Sequence, residues 1–173
     1  LSGVVCKHSI KLAGQRFDEE IIKYVRLRHG ILIGEKMAEE VKKNIGTCWN
    51  FDDDRTFEVK GRNLINGLPK NIEVTSEDVR EALQESLEKI IEAIKETLER
   101  TPPELAADIY RHGIYLTGGA SQVNHLPELI RQGTGLNVNI AENPTTSVAL
   151  GLAKIIKDDN YKSVAYTIEG MSR

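Results

Sequence analysis

The chain has 173 residues, a length that suits one ordinary domain or two small lobes, and 40% of them are hydrophobic, which is typical of a globular protein. Its 23 lysines and arginines stand against 26 acids with both signs interspersed, which argues against a basic surface for nucleic acid or for an anionic membrane. The two cysteines, Cys6 and Cys48, lack the spacing of a zinc site or a disulfide framework, so we expect a reduced, cytoplasmic protein whose cysteines are buried or half-buried. No apolar run reaches the roughly 18 residues of a membrane span.

A strand and two helices are the first elements that the sequence predicts. Residues 3–13 alternate as a strand does, and because the chain starts in such sequence and not with methionine, we expect it to be part of a longer protein. Asp18 is expected to cap a first helix that ends at Gly30, since acids follow it and basic residues precede the glycine. A second amphipathic helix is predicted over Gly34 to Ile45, with Gly46 in the usual terminating position.

The texture of the sequence then changes to short alternating segments and turn residues. Residues 55–60 and 71–74 alternate and are predicted to form a hairpin-like pair of strands. The stretches Gly61-Arg62-Asn63 and Asn66 to Pro69 are interpreted as turns.

From residue 75 onward the pattern is that of an α/β protein. Thr75-Ser-Glu-Asp78 is a helix-capping signature, and the long amphipathic helix that follows is expected to end at Pro102-Pro103. Helices and strands then alternate: a helix over 104–110, a strand over 114–117, a glycine turn, a helix from Pro127, a strand over 137–140 and a helix from Pro144. The tail after Asp158 has no firm pattern.

The glycine turn, Gly118-Gly119-Ala120-Ser121, is the first candidate site. It does not match a dinucleotide fingerprint, in which the glycines lead directly into a helix, because the next predicted helix begins only at Pro127. Two interpretations stay open: the backbone needs a positive φ, or a flat ligand approaches the main chain.

The second candidate site is the polar face of the predicted helix 34–45. Glu39, Lys42 and Lys43 stand at i, i+3 and i+4 and therefore share a face. A carboxylate suits ribose hydroxyls, and lysine methylenes can cover a purine ring. The same spacing is also that of a solvated helix face with an ion pair.

Other polar features indicate no catalytic or metal site. Asp52 to Asp54 lacks the glycine and the distal glutamate of a calcium loop, so we interpret it as a solvated turn. The histidines are scattered along the chain, away from any serine or cysteine that could act as a nucleophile.

Longer segments of the sequence resemble the MreB family of bacterial actin-like rod-shape proteins. The resemblance covers nearly everything except the tail and rests on Ala13-Gly-Gln-Arg-Phe-Asp-Glu-Glu-Ile-Ile22, Leu32-Ile-Gly-Glu35, Glu39-Glu-Val-Lys-Lys-Asn-Ile-Gly46, Val59-Lys-Gly-Arg-Asn-Leu64, Gly67-Leu-Pro69, Glu81-Ala-Leu-Gln-Glu85, Pro102-Pro-Glu-Leu-Ala106, Leu116-Thr-Gly-Gly119 and Ala141-Glu-Asn-Pro144. The VxGRN and PPELA segments are specific to MreB-like proteins. The glycine turn and the Glu-x-x-Lys-Lys helix are shared with actins, sugar kinases and heat-shock chaperones.

The resemblance implies an α/β, actin-like ATPase (ribonuclease H-like) fold in which two lobes share the chain. Residues 1–17 and 80–173 would form lobe IIA, and residues 18–79 would form the smaller inserted α+β lobe IIB. A sugar kinase or a seventy-kilodalton heat-shock ATPase is the alternative from another functional class, but the inserted lobe is too small for a chaperone's substrate domain and lacks a sugar-pocket signature.

The resemblance also implies that the two candidate sites meet, because the superfamily holds the adenosine of ATP between this helix and this turn. The residues expected around the nucleoside are Glu39 and Lys42 beside ribose and base, Lys43 next to them, and the backbone of Gly118, Gly119, Ala120 and Ser121 beneath. Two positions depart from many family members: Ala120 replaces a glycine, and Asn44 replaces an acid.

At the level of function, the resemblance implies the C-terminal half of an ATP-binding filament protein that maintains rod shape. Mg²⁺ would be held mainly by the N-terminal half, so the longer protein would be a slow ATPase while this chain alone would not hydrolyse ATP. The implied partners are further copies of the protein and the proteins of cell shape and cell-wall synthesis, with the membrane contacted through the other half and no nucleic acid. We therefore expect a cytoplasmic protein that is membrane-associated in its full-length form.

Overall fold

The computed structural model describes residues 4–12, 14–49 and 55–164, with the side chains of 162–164 left aside. In chain order its elements are α1 (Gly14–His29), β1 (Ile31–Leu32), α2 (Glu35–Ile45), β2 (Thr56–Asn63), β3 (Pro69–Thr75), α3 (Ser76–Glu99), α4 (Pro103–His112), β4 (Ile114–Leu116), a 3-10 turn (Gly119–Gln122), α5 (Leu126–Thr134), β5 (Val138–Ile140), α6 (Ser147–Lys157) and a second 3-10 turn (Asp159–Val164).

Helix α1 begins one turn earlier than the sequence predicts. The prediction that Asp18 caps it is wrong, because the helix starts at Gly14 and Asp18 lies in its second turn. Its carboxylate instead accepts a hydrogen bond from Lys42 Nζ at 2.7 Å. The strand predicted over residues 3–13 is also absent from 4–12, the described part of that range, because alternation without a bonded neighbour makes no ladder.

The prediction for helix α2 is confirmed, and its end has an unexpected geometry. Ala38, Val41 and Ile45 are buried on one side of the helix. Gly46 follows the last residue in an extended conformation (φ −61°, ψ 127°) and not in the left-handed one common at helix ends. A side chain there would collide with the carbonyl oxygen of Lys42, so close packing against the preceding turn requires the glycine.

A three-stranded antiparallel sheet follows in the order β1-β2-β3. The predicted hairpin is confirmed: β2 pairs with β3 from Thr56↔Thr75 to Arg62↔Pro69. Val59 and Val74 are fully buried on its inner face. Alternation thus correctly indicated the two strands, and the structure shows that their apolar positions Val59 and Val74 reach the core.

The turn predicted at Gly61-Arg62-Asn63 is wrong, because these residues continue strand β2. Gly61 has a packing role: a Cβ there would lie 2.6 Å from the carbonyl oxygen of Leu32 and even closer to the Ile31 side chain. The glycine therefore lets β1 lie close against β2, its antiparallel neighbour in the sheet.

Helix α3 is the long helix of the fold and is capped as predicted. The Thr75 hydroxyl accepts from the Asp78 backbone N–H at 3.1 Å, and the Asp78 carboxylate accepts from the Thr75 N–H at 2.9 Å. The helix packs against α1, α2 and α5. Leu83 and Leu87 bury its apolar face in the common core.

The second half of the chain alternates helices and strands as predicted, around a parallel pair of strands with the register Ile114↔Val138 to Leu116↔Ile140. Helix α5 covers this pair and buries Leu126 and Ile130. Helix α6 begins at Ser147 and not at Pro144, because the Pro144 carbonyl accepts hydrogen bonds from Thr117 and Gly118 across the fold.

The remaining predictions fall on single side chains or outside the described residues. Cys6 is half-buried and Cys48 is buried, both as free thiols, as expected. Burial raises the pKa of the Cys48 thiol to about 12, so it is an inert core side chain. Asp52 to Asp54 lies outside the described residues.

The fold generates a prediction about Gly61. Gly61→Ala should lower the free energy of unfolding by about 1–3 kcal/mol, because the added methyl group meets the backbone of β1. The control is Gly151→Ala in α6, where a Cβ meets nothing within 4 Å and alanine should be neutral or stabilising by up to about 1 kcal/mol. Urea denaturation of both variants measures the difference, and equal effects would contradict the close packing of β1 against Gly61.

Candidate functional site

The polar face of α2 is fixed by burial of its opposite face. Because Ala38, Val41 and Ile45 enter the core, Glu39, Lys42 and Lys43 are turned away from it. The two lysines nevertheless have different surroundings, since the Lys42 side chain is 12% exposed and that of Lys43 is 66% exposed.

Lys42 links α2 to the first turns of α1. Its ammonium group donates to Asp18 Oδ1 at 2.7 Å and to the carbonyl oxygen of Gly14 at 3.1 Å. Both charged side chains are largely buried, so solvent screens the attraction between Lys42 and Asp18 only weakly. The charge of Lys42 is therefore already balanced within the protein.

Glu39 and Lys43 form a second, exposed ion pair one turn apart. Their charged atoms lie 2.7 Å apart. The hydrogen bond to Lys43 lowers the pKa of the Glu39 carboxyl, and the same bond raises the pKa of Lys43. Glu39 is therefore a carboxylate at neutral pH, with oxygens that remain accessible at the surface.

The glycine turn starts where β4 ends. Gly118 has φ +87°, a conformation that other residues rarely adopt, and its N–H donates to the Pro144 carbonyl at 2.6 Å. Ser121 is buried, and its hydroxyl donates to the Gly118 carbonyl at 2.7 Å. These bonds explain Gly118 and Ser121 through the geometry of the turn itself.

Asn124 joins the segment after this turn to the end of α2. Its side-chain amide donates to the Gly46 carbonyl at 2.9 Å, and its own carbonyl accepts from the Cys48 N–H at 2.9 Å. A parallel bridge between Thr47 and Asn124 completes the link. Two segments that are 78 positions apart are thereby held side by side.

A cavity of about 700 Å³ lies between these elements, within the range of roughly 300–1,000 Å³ that is common for small-molecule sites. The described residues that line it are Gly14, Gln15, Asp18, Glu39, Lys42, Lys43, Gly119, Ala120, Gln122, Val123, Asn124 and Thr145. Five of the seven residues expected at a nucleoside thus surround one space, whereas Gly118 and Ser121 are not among the lining residues and bond to each other. A direct contact of these last two with a ligand stays a prediction.

Gly119 has neither of the usual structural reasons to be glycine. Its φ is outside the positive range, unlike that of Gly118, and a Cβ built on it meets nothing within 4 Å. It faces the cavity, so a side chain there would take up ligand space without disturbing the fold. The cavity is therefore suited to a flat group lying close to the main chain.

Three cavity residues that the sequence did not single out carry uncommitted polar groups. Gln15, Gln122 and Thr145 line the cavity, and their side chains form no hydrogen bond with any other described residue. Two amides and a hydroxyl can each donate and accept, which suits the edge of a base or the hydroxyls of a sugar. Single glutamines and threonines in loops give no periodic signal, so only the folded arrangement identifies them.

The described ranges lack the features of a metal site and of a membrane-spanning helix. Residues 4–12, 14–49 and 55–164 contain no cluster of three or more His, Cys, Asp or Glu side chains that could hold a metal ion. Among the helices of the same ranges, none has the length and hydropathy that a membrane-spanning segment requires.

Comparison with known proteins gives a consistent set of relatives. A family profile described as MreB/Mbl protein matches residues 1–164. The cell shape-determining protein MreB of Escherichia coli K12 is 45% identical over 157 residues, which are 91% of this chain and 45% of that protein. The cell shape-determining protein Mbl of Bacillus subtilis 168 is 41% identical over 151 residues, 87% of this chain and 45% of that protein.

Solved structures agree with this set. The crystal structure of MreB5 of Spiroplasma citri bound to AMPPNP superposes with a TM-score of 0.86 at 38% identity, covering 92% of this chain and 47% of that one. A MamK double helical filament superposes with a TM-score of 0.71 at 23% identity, which shows likeness of fold. The fold is thus the actin-like one that the sequence predicted, and the chain spans about half the length of the relatives it matches.

The link through Asn124 generates a prediction about stability. Asn124→Ala should lower the free energy of unfolding by about 1–2 kcal/mol, because the buried Gly46 carbonyl loses its donor. Asn44→Ala is the matched control, since that amide bonds only to the exposed helix carbonyl of Glu40, and its effect should stay below about 0.5 kcal/mol. Thermal or urea unfolding of both variants provides the measurement. If Asn44→Ala destabilised the protein as much as Asn124→Ala, the proposed importance of the bond from Asn124 to Gly46 would be refuted.

Proposed function

The chain belongs to the MreB/Mbl family, and from that premise we propose that the cavity between α2 and the glycine turn binds the adenosine of ATP. The observation that carries the proposal is Gly119, which faces the cavity without any need of its own for glycine. Two structures of the relative from Spiroplasma citri, described as bound to AMPPNP and to ADP, support a nucleotide as the ligand.

The chemistry of the cavity supports a nucleoside in particular. The Glu39 carboxylate offers acceptors for ribose hydroxyls, and the methylene stem of Lys42 offers an apolar wall for a purine ring. The peptide planes at Gly119 and Ala120 let the ring or sugar lie close to the backbone. Lys43 stands at the rim beside Glu39 and would keep that carboxylate ionised and oriented.

The phosphates and Mg²⁺ would be bound elsewhere under this proposal. Asp18 already neutralises the largely buried Lys42 ammonium, so Lys42 is poorly placed to bind a polyphosphate. Phosphoryl transfer needs donors and a metal around the terminal phosphates. We assign those groups to the part of the longer protein that this chain does not cover, and we expect no hydrolysis by this chain alone.

At the cellular level we propose a role in rod shape, since the relatives are named cell shape-determining proteins. The chain would correspond to the C-terminal half of such a protein, with residues 1–17 and 80–173 as lobe IIA and 18–79 as lobe IIB. The whole protein would form ATP-dependent, membrane-associated filaments in the cytoplasm and organise cell-wall synthesis. Because the chain belongs to the MreB/Mbl family, we no longer consider the alternatives of a heat-shock chaperone or a sugar kinase.

Nucleotide binding is tested on the isotopically labelled chain by NMR titration with ATP at millimolar concentrations, which detects weak binding. Backbone resonances of Glu39, Lys42 and Gly119 should shift together in a saturable manner. Lys42→Ala should weaken binding about tenfold, because the purine loses one wall and Asp18 loses its partner. Lys36→Ala in the same helix, outside the cavity lining, is the control and should bind normally.

Gly119 allows a test that leaves the fold undisturbed. Gly119→Ala and Gly119→Val should reduce ATP binding progressively, since each adds volume where the chain leaves open space. The free energy of unfolding of Gly119→Ala should change by less than about 0.5 kcal/mol, because no neighbour is displaced. Unchanged ATP affinity in Gly119→Val would overturn the assignment of the cavity.

The filament proposal is tested on the full-length protein. With ATP it should sediment, and electron microscopy should show filaments. Lys42→Ala in the same protein should raise the ATP concentration needed for sedimentation, because assembly is proposed to depend on the nucleotide. A full-length protein that stays monomeric across salt and nucleotide conditions would contradict the cytoskeletal role.

A further inference from the structure

A second polar cavity, of about 470 Å³, lies between α4, α5 and the parallel strands. It shares no lining residue with the cavity assigned to adenosine. Its described lining includes the polar side chains of Arg111, His112, Tyr115, Glu128, Arg131 and Asn139.

Two arginines from different helices face this cavity. Arg111 lies in the last turn of α4 and Arg131 in the last turn of α5, and neither forms an ion pair with any other described residue. Glu128 is the single acid among the described lining residues, so the lining has an excess of positive charge. Two guanidinium groups that line one cavity without matching carboxylates favour an anion between them.

The end of α4 is fixed beside these arginines. His112 Nδ1 lies 2.9 Å from the Asp108 carbonyl oxygen, and because a carbonyl can only accept, Nδ1 carries the proton and Nε2 stays available. Asn139 Nδ2 donates to the His112 carbonyl at 3.2 Å, which joins α4 to β5. The end of α4, which carries Arg111 and His112, is therefore bonded to β5 beside the cavity.

We propose that this cavity binds the phosphate group of an organic phosphate, with Arg111 and Arg131 as its ligands. A carboxylate is satisfied by one guanidinium fork, whereas a tetrahedral phosphate presents further oxygens to a second fork from another direction. The cavity is several times larger than a bare phosphate, and Tyr115 and Pro127 form a wall for the attached group. This site is independent of the proposed function.

A simpler role for Arg111 and Arg131 is purely structural, and the experiment must distinguish that role from phosphate binding. Arg111 and Arg131 each offset the negative end of a helix dipole, an interaction that affects stability and needs no ligand. That role alone predicts altered unfolding in their glutamine variants and no selective response to phosphate.

The experiment is an NMR titration of the labelled chain, following the arginine Nε–Hε resonances, with inorganic phosphate and with phenyl phosphate at constant ionic strength set by chloride. Arg111 and Arg131 should shift together and saturate, with tighter binding of phenyl phosphate than of inorganic phosphate. Benzoate should bind at least about tenfold more weakly than phenyl phosphate, since it lacks the additional oxygens. Equal binding of benzoate would overturn the assignment to phosphate.

Four variants complete the test. Arg111→Gln and Arg131→Gln should each weaken phosphate binding about tenfold, while Arg62→Gln on the exposed hairpin should not. Glu128→Gln should strengthen binding several-fold, because the one nearby carboxylate no longer repels the anion. Shifts that do not saturate, that chloride alone reproduces, or that Glu128→Gln leaves unchanged would overturn the proposal.

Discussion

The arrangement of the candidate site depends on the contact between the end of α2 and the segment after the glycine turn. Asn124 bonds to Gly46 through its side chain and to Cys48 through its backbone. Gly46 is buried and extended, so its carbonyl has no helical partner and needs this donor. The two walls of the cavity are therefore joined by bonds that the buried backbone requires, whether or not a ligand is present.

The core and the cavity share the same elements, which explains how the site is held in shape. Burial of Val41 and Ile45 fixes the rotation of α2, and that rotation directs Lys42 toward the start of α1. The Lys42 ammonium bonds to Asp18 and to the backbone of Gly14, so the α1 wall is tied to the α2 wall. A substitution in the core of α2 would consequently move the polar face as well.

Much of the fold could be predicted from local sequence, and three of the errors share a cause. Periodicity and capping correctly indicated α2, α3 and the β2–β3 hairpin, because these signals lie within a few residues of one another. Gly61 and Asp18 were assigned to a turn and a cap, yet each serves a contact with a distant element, β1 in one case and Lys42 in the other. The predicted start of α6 at Pro144 is wrong for the same reason, since the Pro144 carbonyl bonds to Thr117. Tertiary contacts overrode a plausible local pattern each time.

Residue type and spacing singled out the helix face and the glycine turn separately, and only the family resemblance indicated that the two meet. Local rules could not separate Gly118 from Gly119, since both are glycines in one turn. The structure separates them, because a positive φ explains the first and leaves the second without a conformational reason. Gln15, Gln122 and Thr145 lie far apart along the chain, and no spacing rule would have grouped them.

The charges around the cavity bear on which part of a nucleotide it suits. Its described lining carries two acids, Asp18 and Glu39, and two lysines, Lys42 and Lys43, so the formal charges cancel. Each lysine is already bonded to an acid at 2.7 Å. Moving a lysine toward a polyphosphate would leave its carboxylate without a partner, and the cost in free energy would be greatest for the largely buried Asp18. A neutral base and sugar require no such rearrangement, and the uncommitted amides and hydroxyl can bond to them directly. Under the proposed function, this lining would suit the uncharged end of a nucleotide, and recognition of the phosphates would fall to other groups.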